Sequence, residues 1–507
     1  MKKTLSIVFL LTFLIISIPT LAYAGAGTMG FHGGISEGSR MPTTIERLLD
    51  PSLNGRRNIA GTYSYKEMVF LSGIPSEFEG TLIVNQNGGV SENNAMGSFT
   101  VTNIVQPNAA TGNTIIDRNI TFNVNYRRES NQVIKSYEVT NWDEFIVTPD
   151  GTFDLDPDQS YFTISIIEDH NPGIMFYRGA MSKRAVFIGD GDEQTIVESS
   201  GVIYGFDSAW SSTETHRIDT WLFGDGWQMS YQVRPSVSVT KSMQYSSTSP
   251  IPISFAGNYM EILQNQSALT YNIFIVPQPF HFIESSGSTN IPSRNTFEQL
   301  IAPDTSFLRG HFAEEDIRRL FAMQILRGEP SHFQPNQMMT RGEFVQALTR
   351  AIRLPAMQAT PMAANNPVIR VVFPDVLQDR SEYPYIMAAF RSGLAFGRNN
   401  GHFNIDSPIP REEAIVILVR SLGLENLAPS ITPVTAFADS HQISDWALRE
   451  IQASHTIGLI TGDQHGNFRP RDYISKAEGA AFINRFIDYM REDLVIDYSE
   501  RMINFVN

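Results

Sequence analysis

Residues 305–495 repeat one pattern of landmark residues three times at nearly fixed spacing. In every copy an Ile stands 11 residues before a Gly, and a Phe stands eight residues before a basic residue. The landmarks are Ile317, Gly328, Phe333 and Arg341 in the first copy, Ile386, Gly397, Phe403 and Arg411 in the second, and Ile451, Gly462, Phe468 and Lys476 in the third. Such repetition indicates one supersecondary unit used three times, which buries its apolar face by packing on its neighbours.

Each copy is predicted to be two helices joined by a tight loop. Apolar residues at three- and four-residue spacing, as in EEDIRRLFAMQIL and REEAIVILVRSLGL, are typical of amphipathic helices. We expect the first helix to end at the Gly, which suits the left-handed position after a helix C-terminus. The Phe of the loop is expected to fill the space between the helices, and the second helix to begin at the basic residue.

The start of the second helix carries a capping signal in two of the three copies. Thr340-x-x-Glu343 and Ser475-x-x-Glu478 match the capping box, in which the hydroxyl accepts from a backbone N–H and the Glu reaches back. The middle copy has Pro410 at this position, which cannot bond in that way, so we expect its helix to lack a side-chain cap.

Capping does not account for the basic residue that follows. Arg341, Arg411 and Lys476 face the positive end of the helix dipole, a penalty of roughly 0.3–1 kcal/mol each. Three cations at this disfavoured position predict a neighbouring anion, and a helix N-terminus with free N–H groups beside a basic side chain suits a carboxylate or phosphate. The alternative is that each cation pairs with a neighbouring Glu.

Several short motifs resemble those of S-layer homology domains. They are Phe373-Pro374-Asp375-Val376, the Trp446-Ala447 pair, the segment GLITGDQHGNFRP at 458–470, and the series TRGE, PREE and SKAE. The resemblance implies three all-α repeats at 305–354, 368–425 and 434–495 that form a pseudo-threefold helical bundle. It also implies non-covalent binding to anionic secondary cell-wall polysaccharide, commonly pyruvylated, through Arg341, Arg411 and Lys476.

The sequence departs from the family pattern at several places. The first copy lacks the F-P-D-V entry and has Phe312-Ala313 where the third has Trp446-Ala447, and the second copy has Pro410 in place of Thr. We therefore expect one or two of the three grooves between repeats to bind weakly or not at all.

Residues 25–283 are predicted to form an all-β region. Segments such as GTLIVNQ, NITFNVNY and YFTISIIED are short, rich in β-branched and aromatic residues, and separated by turn signals. This spacing favours an antiparallel sandwich or barrel. Alternation would also suit a lipid-facing barrel, but many of these segments carry polar residues on both faces. The Ser- and Asn-rich residues 284–304 are predicted to be a linker to the helical repeats.

The N-terminus has the features of a secretory signal peptide. Lys2 and Lys3 precede an apolar stretch that is soon followed by Ala22-Tyr23-Ala24, which predicts cleavage after residue 24 and export to the cell surface. The apolar run is short for a membrane anchor, and we expect no membrane span in the mature protein. The formal net charge of −15 argues against a nucleic-acid partner.

The β region matches no catalytic motif. Asp154, Asp156 and Asp158 alternate as Ca²⁺ ligands do, but a solvated turn explains them better, and no metal or cofactor is predicted. The sequence predicts a protein anchored to the cell wall that displays its β region. Two alternatives stay open, namely an anchored polysaccharide-degrading enzyme whose active site lies in the β region, and a subunit of an S-layer lattice.

Overall fold

The computed structural model describes residues 33–37, 41–50, 59–91, 94–108, 114–247, 256–276, 283–357, 372–427 and 435–498. The predicted signal peptide, 1–24, lies outside these residues. The strands are β1 Ile35–Ser36, β2 Gly61–Val69, β3 Ser76–Asn87, β4 Met96–Pro107, β5 Ile115–Glu129, β6 Gln132–Thr148, β7 Gly151–Asn171, β8 Ile174–Gly189, β9 Gln194–Ser208, β10 Ser211–Gly224, β11 Trp227–Ser246, β12 Asn258–Val276, β13 Ile283–Ile291 and β14 Thr296–Ile301. The α-helices are α1 Thr44–Leu49, α2 Glu314–Ala322, α3 Arg341–Ala351, α4 Tyr383–Arg391, α5 Arg411–Leu422, α6 Leu448–Thr456, α7 Lys476–Asp488 and α8 Leu494–Asp497. Among the helices described, none combines the length and the apolar character that crossing a bilayer requires.

The N-terminal region is one antiparallel sheet, as the sequence predicts. From β1 to β13 each strand pairs with the next along the chain, and β14 pairs with β12. Strand β13 lies beside β2, and β1 packs against β11, β12 and β13, so the sheet nearly closes on itself. The period-two pattern places alternate side chains inside, as in β5, where Ile116, Ile120, Phe122 and Val124 are buried. The all-β, barrel-like prediction is therefore confirmed.

The predicted linker at 284–304 differs from the structure. Strands β13 and β14 occupy much of it, and they pair with Ser267–Ile275 and Asn258–Leu263 of β12 respectively. The polar composition of this segment indicated a loop because strand signals rest on apolar side chains. An edge strand needs only backbone hydrogen bonds to its neighbour, which polar residues supply equally well.

The interior of the sheet contains ion pairs as well as apolar side chains. Arg118 lies 2.7 Å from Glu67 and 2.6 Å from Glu144, and Lys135 lies 2.6 Å from Glu168. All five side chains are buried. A buried charge is costly unless it is paired, so the sheet can enclose these charged side chains only if the ion pairs form.

We predict that the sheet loses stability in acid. Burial raises the pKa of Glu144 and of Glu168, but the cations Arg118 and Lys135 outweigh it and hold both pKa values below their ordinary 4.5. Below pH 4.5 the unfolded chain binds more protons than the folded chain. The stabilisation from these two carboxylates is therefore complete above pH 4.5 and is lost as the pH falls through their lowered pKa values in the folded state.

Urea unfolding between about pH 7 and about pH 3 measures this loss. The Glu168→Gln variant should be less stable at neutral pH and should show a weaker dependence on acid. An unchanged dependence would contradict the assignment of this effect to Glu168.

The helical region follows the predicted repeat, with one correction. Helices α3, α5 and α7 begin at Arg341, Arg411 and Lys476, as predicted. Helices α2, α4 and α6 each end six residues before the predicted glycine, and the left-handed residues after them are Gln324, Gly393 and Gly458. The later Gly397 instead serves a close approach, because a Cβ there would lie 2.5 Å from the ring of Phe373.

The helices pack between repeats. Helix α3 of the first repeat packs on α4 of the second, α5 packs on α6 of the third, and α7 packs back on α2 of the first. Phe403 and Phe468 of the loops are buried among the helices and Phe333 is half-buried, so these side chains fill the space predicted for them.

The helical and β regions share one apolar core. Trp210, at the turn between β9 and β10, is 1% exposed and donates from Nε1 to the carbonyl of Ala351 at 2.9 Å. The N–H of Gly173 donates to the carbonyl of Ser421 at 2.7 Å, and the ring of Phe176 stacks on Tyr498. Because these contacts join the end of the sheet to the helices, the two regions are expected to unfold together.

We therefore predict that Trp210→Ala destabilises the whole chain by about 3–5 kcal/mol, since it removes a large buried side chain and the hydrogen bond to Ala351. The matched control is Trp221→Ala, because Trp221 is 52% exposed on β10; its effect should stay within about 0.5 kcal/mol. Chemical denaturation followed by circular dichroism measures both. Equal effects of the two substitutions, or loss of the helical signal alone, would contradict the shared core.

Candidate functional site

The three repeats meet at the residue before each cap position. The N–H of Met339 donates to the carbonyl of Ile474, that of Ile474 to Ile409, and that of Ile409 back to Met339, at 2.9, 3.2 and 3.0 Å. All three side chains are buried. These hydrogen bonds form a closed triangle, which we call the central triangle, and it places the starts of α3, α5 and α7 side by side.

The first backbone N–H groups of these helices are not free. The N–H of Arg341 donates to Ser407 and that of Gly342 to Ile405, both in the loop of the next repeat. The equivalent pairs are Arg411 with Asp472, Glu412 with Pro470, Lys476 with Gln337 and Ala477 with Pro335. The predicted open anion site at each helix start is therefore wrong for the N–H groups, because carbonyl oxygens already fill it.

The third N–H is satisfied within each repeat where a hydroxyl is present. Thr340 accepts from the N–H of Glu343, and Ser475 accepts from the N–H of Glu478, with each Glu reaching back to complete the capping box. Pro410 makes no side-chain cap. These three features were predicted from the sequence and are confirmed.

Each basic residue forms an ion pair with the Glu two residues after the basic residue of the next repeat. The pairs are Arg341–Glu413 at 2.6 Å, Arg411–Glu478 at 2.5 Å and Lys476–Glu343 at 2.6 Å. Thus the negative partner that the sequence called for is supplied by the protein itself. The spacing along the chain did not reveal it because the partner belongs to another repeat.

These ion pairs affect the carboxylate that accepts them. Although burial raises the pKa of Glu478, hydrogen bonds from Ser475 and Arg411 hold it below its ordinary value. Glu478 therefore stays ionised at neutral pH and holds Arg411 in place while it also caps its own helix.

The three cations differ in how many of their donors are used. Arg341 pairs with Glu413, donates to the carbonyls of Phe403 and Phe396, and lies 4.0 Å from the centre of the Phe403 ring. Its side chain is only 5% exposed. Arg411 is 11% exposed, but its buried Nε–H has no hydrogen-bond partner.

A groove of about 250 Å³ runs along α7 beside Arg411. We call it the α7 groove. Its charged lining residues are Arg411, Arg469, Arg485, Asp463 and Glu478, and the exposed ring of Phe312 from the first repeat also lines it. Three cations against two carboxylates leave the groove with an excess of positive charge.

Arg485 is the most available cation of the groove. It is exposed, lies 5.9 Å from the centre of the Phe482 ring, and makes no ion pair within 4.0 Å in the part of the chain that the structure describes. Sequence reasoning missed it, although a signal was present. Arg stands nine residues after the basic residue in all three copies, at Arg350, Arg420 and Arg485.

The two equivalents of Arg485 have their donors engaged, in part by the next repeat. Arg350 donates to the hydroxyl of Tyr385 and to the carbonyl of Gln324, and Arg420 lies 2.8 Å from Glu450. The α7 groove therefore differs from the equivalent surfaces of the other two repeats in having spare donors.

The predicted Ca²⁺ alternative at Asp154, Asp156 and Asp158 gains no support from geometry. Asp156 accepts hydrogen bonds from the N–H of Asp158 and from Gln159, where the pairing of β7 with β8 shifts register. Over the described residues, no group of three or more His, Asp or Glu side chains is arranged to hold a metal ion.

The three repeats match a known protein family. A family model for the S-layer homology domain matches residues 308–345, 372–415 and 436–480. The chain contains three S-layer homology domains. The matched ranges lie within the predicted repeats and include Arg341, Arg411 and Lys476.

Several similar proteins are surface proteins or glycoside hydrolases by name. The chain is 25% identical over 233 residues to an endoglucanase from Bacillus sp. (strain KSM-635), covering 45% of this chain and 23% of that protein. It is 26% identical over 177 residues to S-layer protein sap from Bacillus anthracis, covering 34% and 20%. It is 25% identical over 181 residues to the surface-layer 125 kDa protein of Lysinibacillus sphaericus, covering 35% and 14%.

The chain thus spans less than a quarter of the length of each of these relatives. The S-layer homology domains and the S-layer relatives identify it as a secreted protein of the cell surface.

The buried ion pair of Arg341 generates a stability prediction. Arg341→Ala leaves one oxygen of Glu413 and the carbonyls of Phe396 and Phe403 without their donor, so we expect a loss of about 3 kcal/mol. The matched control is Arg398→Ala, which removes the other partner of the same carboxylate, because Arg398 is 43% exposed; it should cost about 1 kcal/mol or less. Urea denaturation compares them. If both substitutions cost the same, the special role of Arg341 in joining the repeats is wrong.

Proposed function

We propose that the S-layer homology domains anchor this protein non-covalently to an anionic secondary cell-wall polysaccharide, commonly pyruvylated, and display the β region on the cell surface. The observation that carries the proposal is the α7 groove, where, among the described residues, the buried Nε–H of Arg411 has no hydrogen-bond partner and Arg485 makes no ion pair. In this arrangement the three repeats form a pseudo-threefold bundle, a proposal supported by the packing of α3 on α4, α5 on α6 and α7 on α2.

The chemistry of the groove suits a carboxylate on a sugar. The planar guanidinium of Arg485 offers two parallel donors, the geometry that carboxylates accept best. Arg411 adds positive charge to the lining of the groove, while Glu478 fixes its orientation. Phe312 is 71% exposed at the edge of the groove, where an aromatic ring can pack against the apolar face of a sugar ring.

The other two predicted cations have different parts in this proposal. Arg341 has its donors engaged by Glu413, Phe396 and Phe403, so its main role is to join the first two repeats. Lys476 is 18% exposed and binds an anion only in competition with Glu343. We therefore propose unequal grooves, with the groove beside Arg411 as the strongest.

We predict that Arg411→Ala and Arg485→Ala each weaken binding to purified cell walls by about tenfold or more, since each removes charge-assisted hydrogen bonds. The matched control is Arg420→Ala, at the position equivalent to Arg485, because Arg420 is already paired with Glu450. Cosedimentation of the full chain with walls measures binding, and circular dichroism verifies folding.

Removal of the acidic substituents from the wall polymer should abolish the difference between wild type and the two groove variants. If folded Arg411→Ala and Arg485→Ala proteins sediment as well as wild type, the α7 groove is not the anchoring site. A loss of binding in Arg420→Ala equal to that in Arg485→Ala would argue for a general effect of surface charge.

The enzyme alternative rests on the endoglucanase and on an amylopullulanase from Thermoanaerobacterium thermosulfurigenes among the similar proteins. In the interior of the sheet, Glu67 and Glu144 are both held by Arg118, which suits a structural ion pair better than a proton donor. Hydrolysis of wall or plant glycans by the full chain, abolished by one Asp or Glu substitution, would favour this alternative. Self-assembly of the purified chain into sheets would favour a lattice subunit.

A further inference from the structure

A small cavity lies inside the sheet of the β region. It measures about 40 Å³, against the roughly 10–15 Å³ that one water needs, so it holds a group of about three or four heavy atoms. Arg118, Lys183, Glu67 and Glu144 line it, together with apolar residues of β2, β8 and β11. This cavity is far along the chain from the S-layer homology domains and takes no part in the proposed anchoring.

The carboxylates of the cavity are already saturated. Glu67 accepts from the hydroxyl of Tyr65 through one oxygen and from Arg118 through both, at 2.7 to 3.1 Å. Glu144 accepts from Arg118 at 2.6 Å and from the indole of Trp142 at 2.8 Å. Each of the four carboxylate oxygens therefore has a donor, and neither Glu needs a further partner.

Two cationic donors of the cavity lack such partners. The Nε–H of Arg118 is buried without a hydrogen bond, although the side chain is only 2% exposed. The ammonium of Lys183 makes no ion pair within 4.0 Å among the described residues, and its contacts are the rings of Trp142 and Phe162 at 5.9 Å. Lys183 is half-buried, so only the Nε–H of Arg118 is a buried donor without an acceptor. Because such a donor is costly, a group that accepts hydrogen bonds is favoured in this space.

The positive charges of Arg118 and Lys183 indicate that the group accepting their hydrogen bonds is an anion. Burial, together with the positive charge of Arg118, lowers the pKa of Lys183, although the charges of Glu144 and Glu67 oppose this shift. An anion between Lys183 and Arg118 supplies negative charge and an acceptor for both donors. A planar carboxylate matches a guanidinium N–H and an ammonium and fits the volume.

We propose that the β region binds one small carboxylate of three or four heavy atoms in this cavity, between Arg118 Nε and Lys183 Nζ. The class includes a free small acid and the carboxylate end of a larger molecule, and the proposal concerns the group that enters the cavity. The site is independent of the wall-binding groove, so the two proposals stand or fall separately.

The test uses the full chain with sodium formate and sodium acetate as probes and sodium chloride at equal ionic strength as reference. Ligand binding to the folded state raises the melting temperature with saturation. We expect a saturable rise for wild type with formate or acetate beyond the effect of chloride. Lys183→Met should need about tenfold more carboxylate or should not respond, because it loses the charged donor.

The matched control is Arg184→Met, which removes one positive charge from the next residue along β8. Arg184 pairs with Glu198 and is 33% exposed, so this variant should respond as wild type does. A crystal structure grown with formate should show one planar molecule within hydrogen-bond distance of Arg118 and Lys183.

Two results would overturn the proposal. One is an equal response of wild type, Lys183→Met and Arg184→Met, which would mark a general salt effect. The other is a cavity filled with separate waters alone in the crystal grown with formate, because water then satisfies both donors.

Discussion

The central triangle of Met339, Ile409 and Ile474 is the constraint on which the helical region depends. Each hydrogen bond in it joins a different pair of repeats, so no repeat completes its own backbone bonding. The triangle also brings each helix start against the loop of the next repeat, where loop carbonyls accept the first two N–H groups. A helix N-terminus carries partial positive charge, and the partially negative oxygens of these carbonyls lie directly against it.

This arrangement explains the cations that seemed misplaced in the sequence. Each basic side chain extends from a helix start toward the next repeat, and there it pairs with a Glu. Glu343 and Glu478 are held by their capping boxes, whereas Glu413 is held by Arg398. The cost of a cation near the positive end of its own helix is offset by a specific bond to another helix. The residue pattern x-basic-x-Glu therefore encodes contacts between repeats, which a single copy cannot show.

Local signals in the sequence predicted local structure well and long-range structure poorly. The helix starts at Arg341, Arg411 and Lys476 were predictable because caps act within four residues, and the strands followed from alternation. The end of α2 was misplaced because the left-handed residue after it is Gln324, a residue type that gives little warning. The ends of α4 and α6 were misplaced for another reason: Gly393 and Gly458 follow them, but the prediction used the glycines that align with Gly328. The carbonyls that fill the helix starts, the strands at 283–301 and the Arg118 cluster all depend on partners distant in sequence.

The three ion pairs between repeats also leave the three cations with different numbers of unused donors. Joining the repeats takes one ion pair from each cation. Arg341 uses further donors on the carbonyls of Phe396 and Phe403, whereas the Nε–H of Arg411 has no partner among the described residues. The bonds that hold the repeats together are therefore separate from the donors left over, so those donors can change from repeat to repeat without loss of the fold.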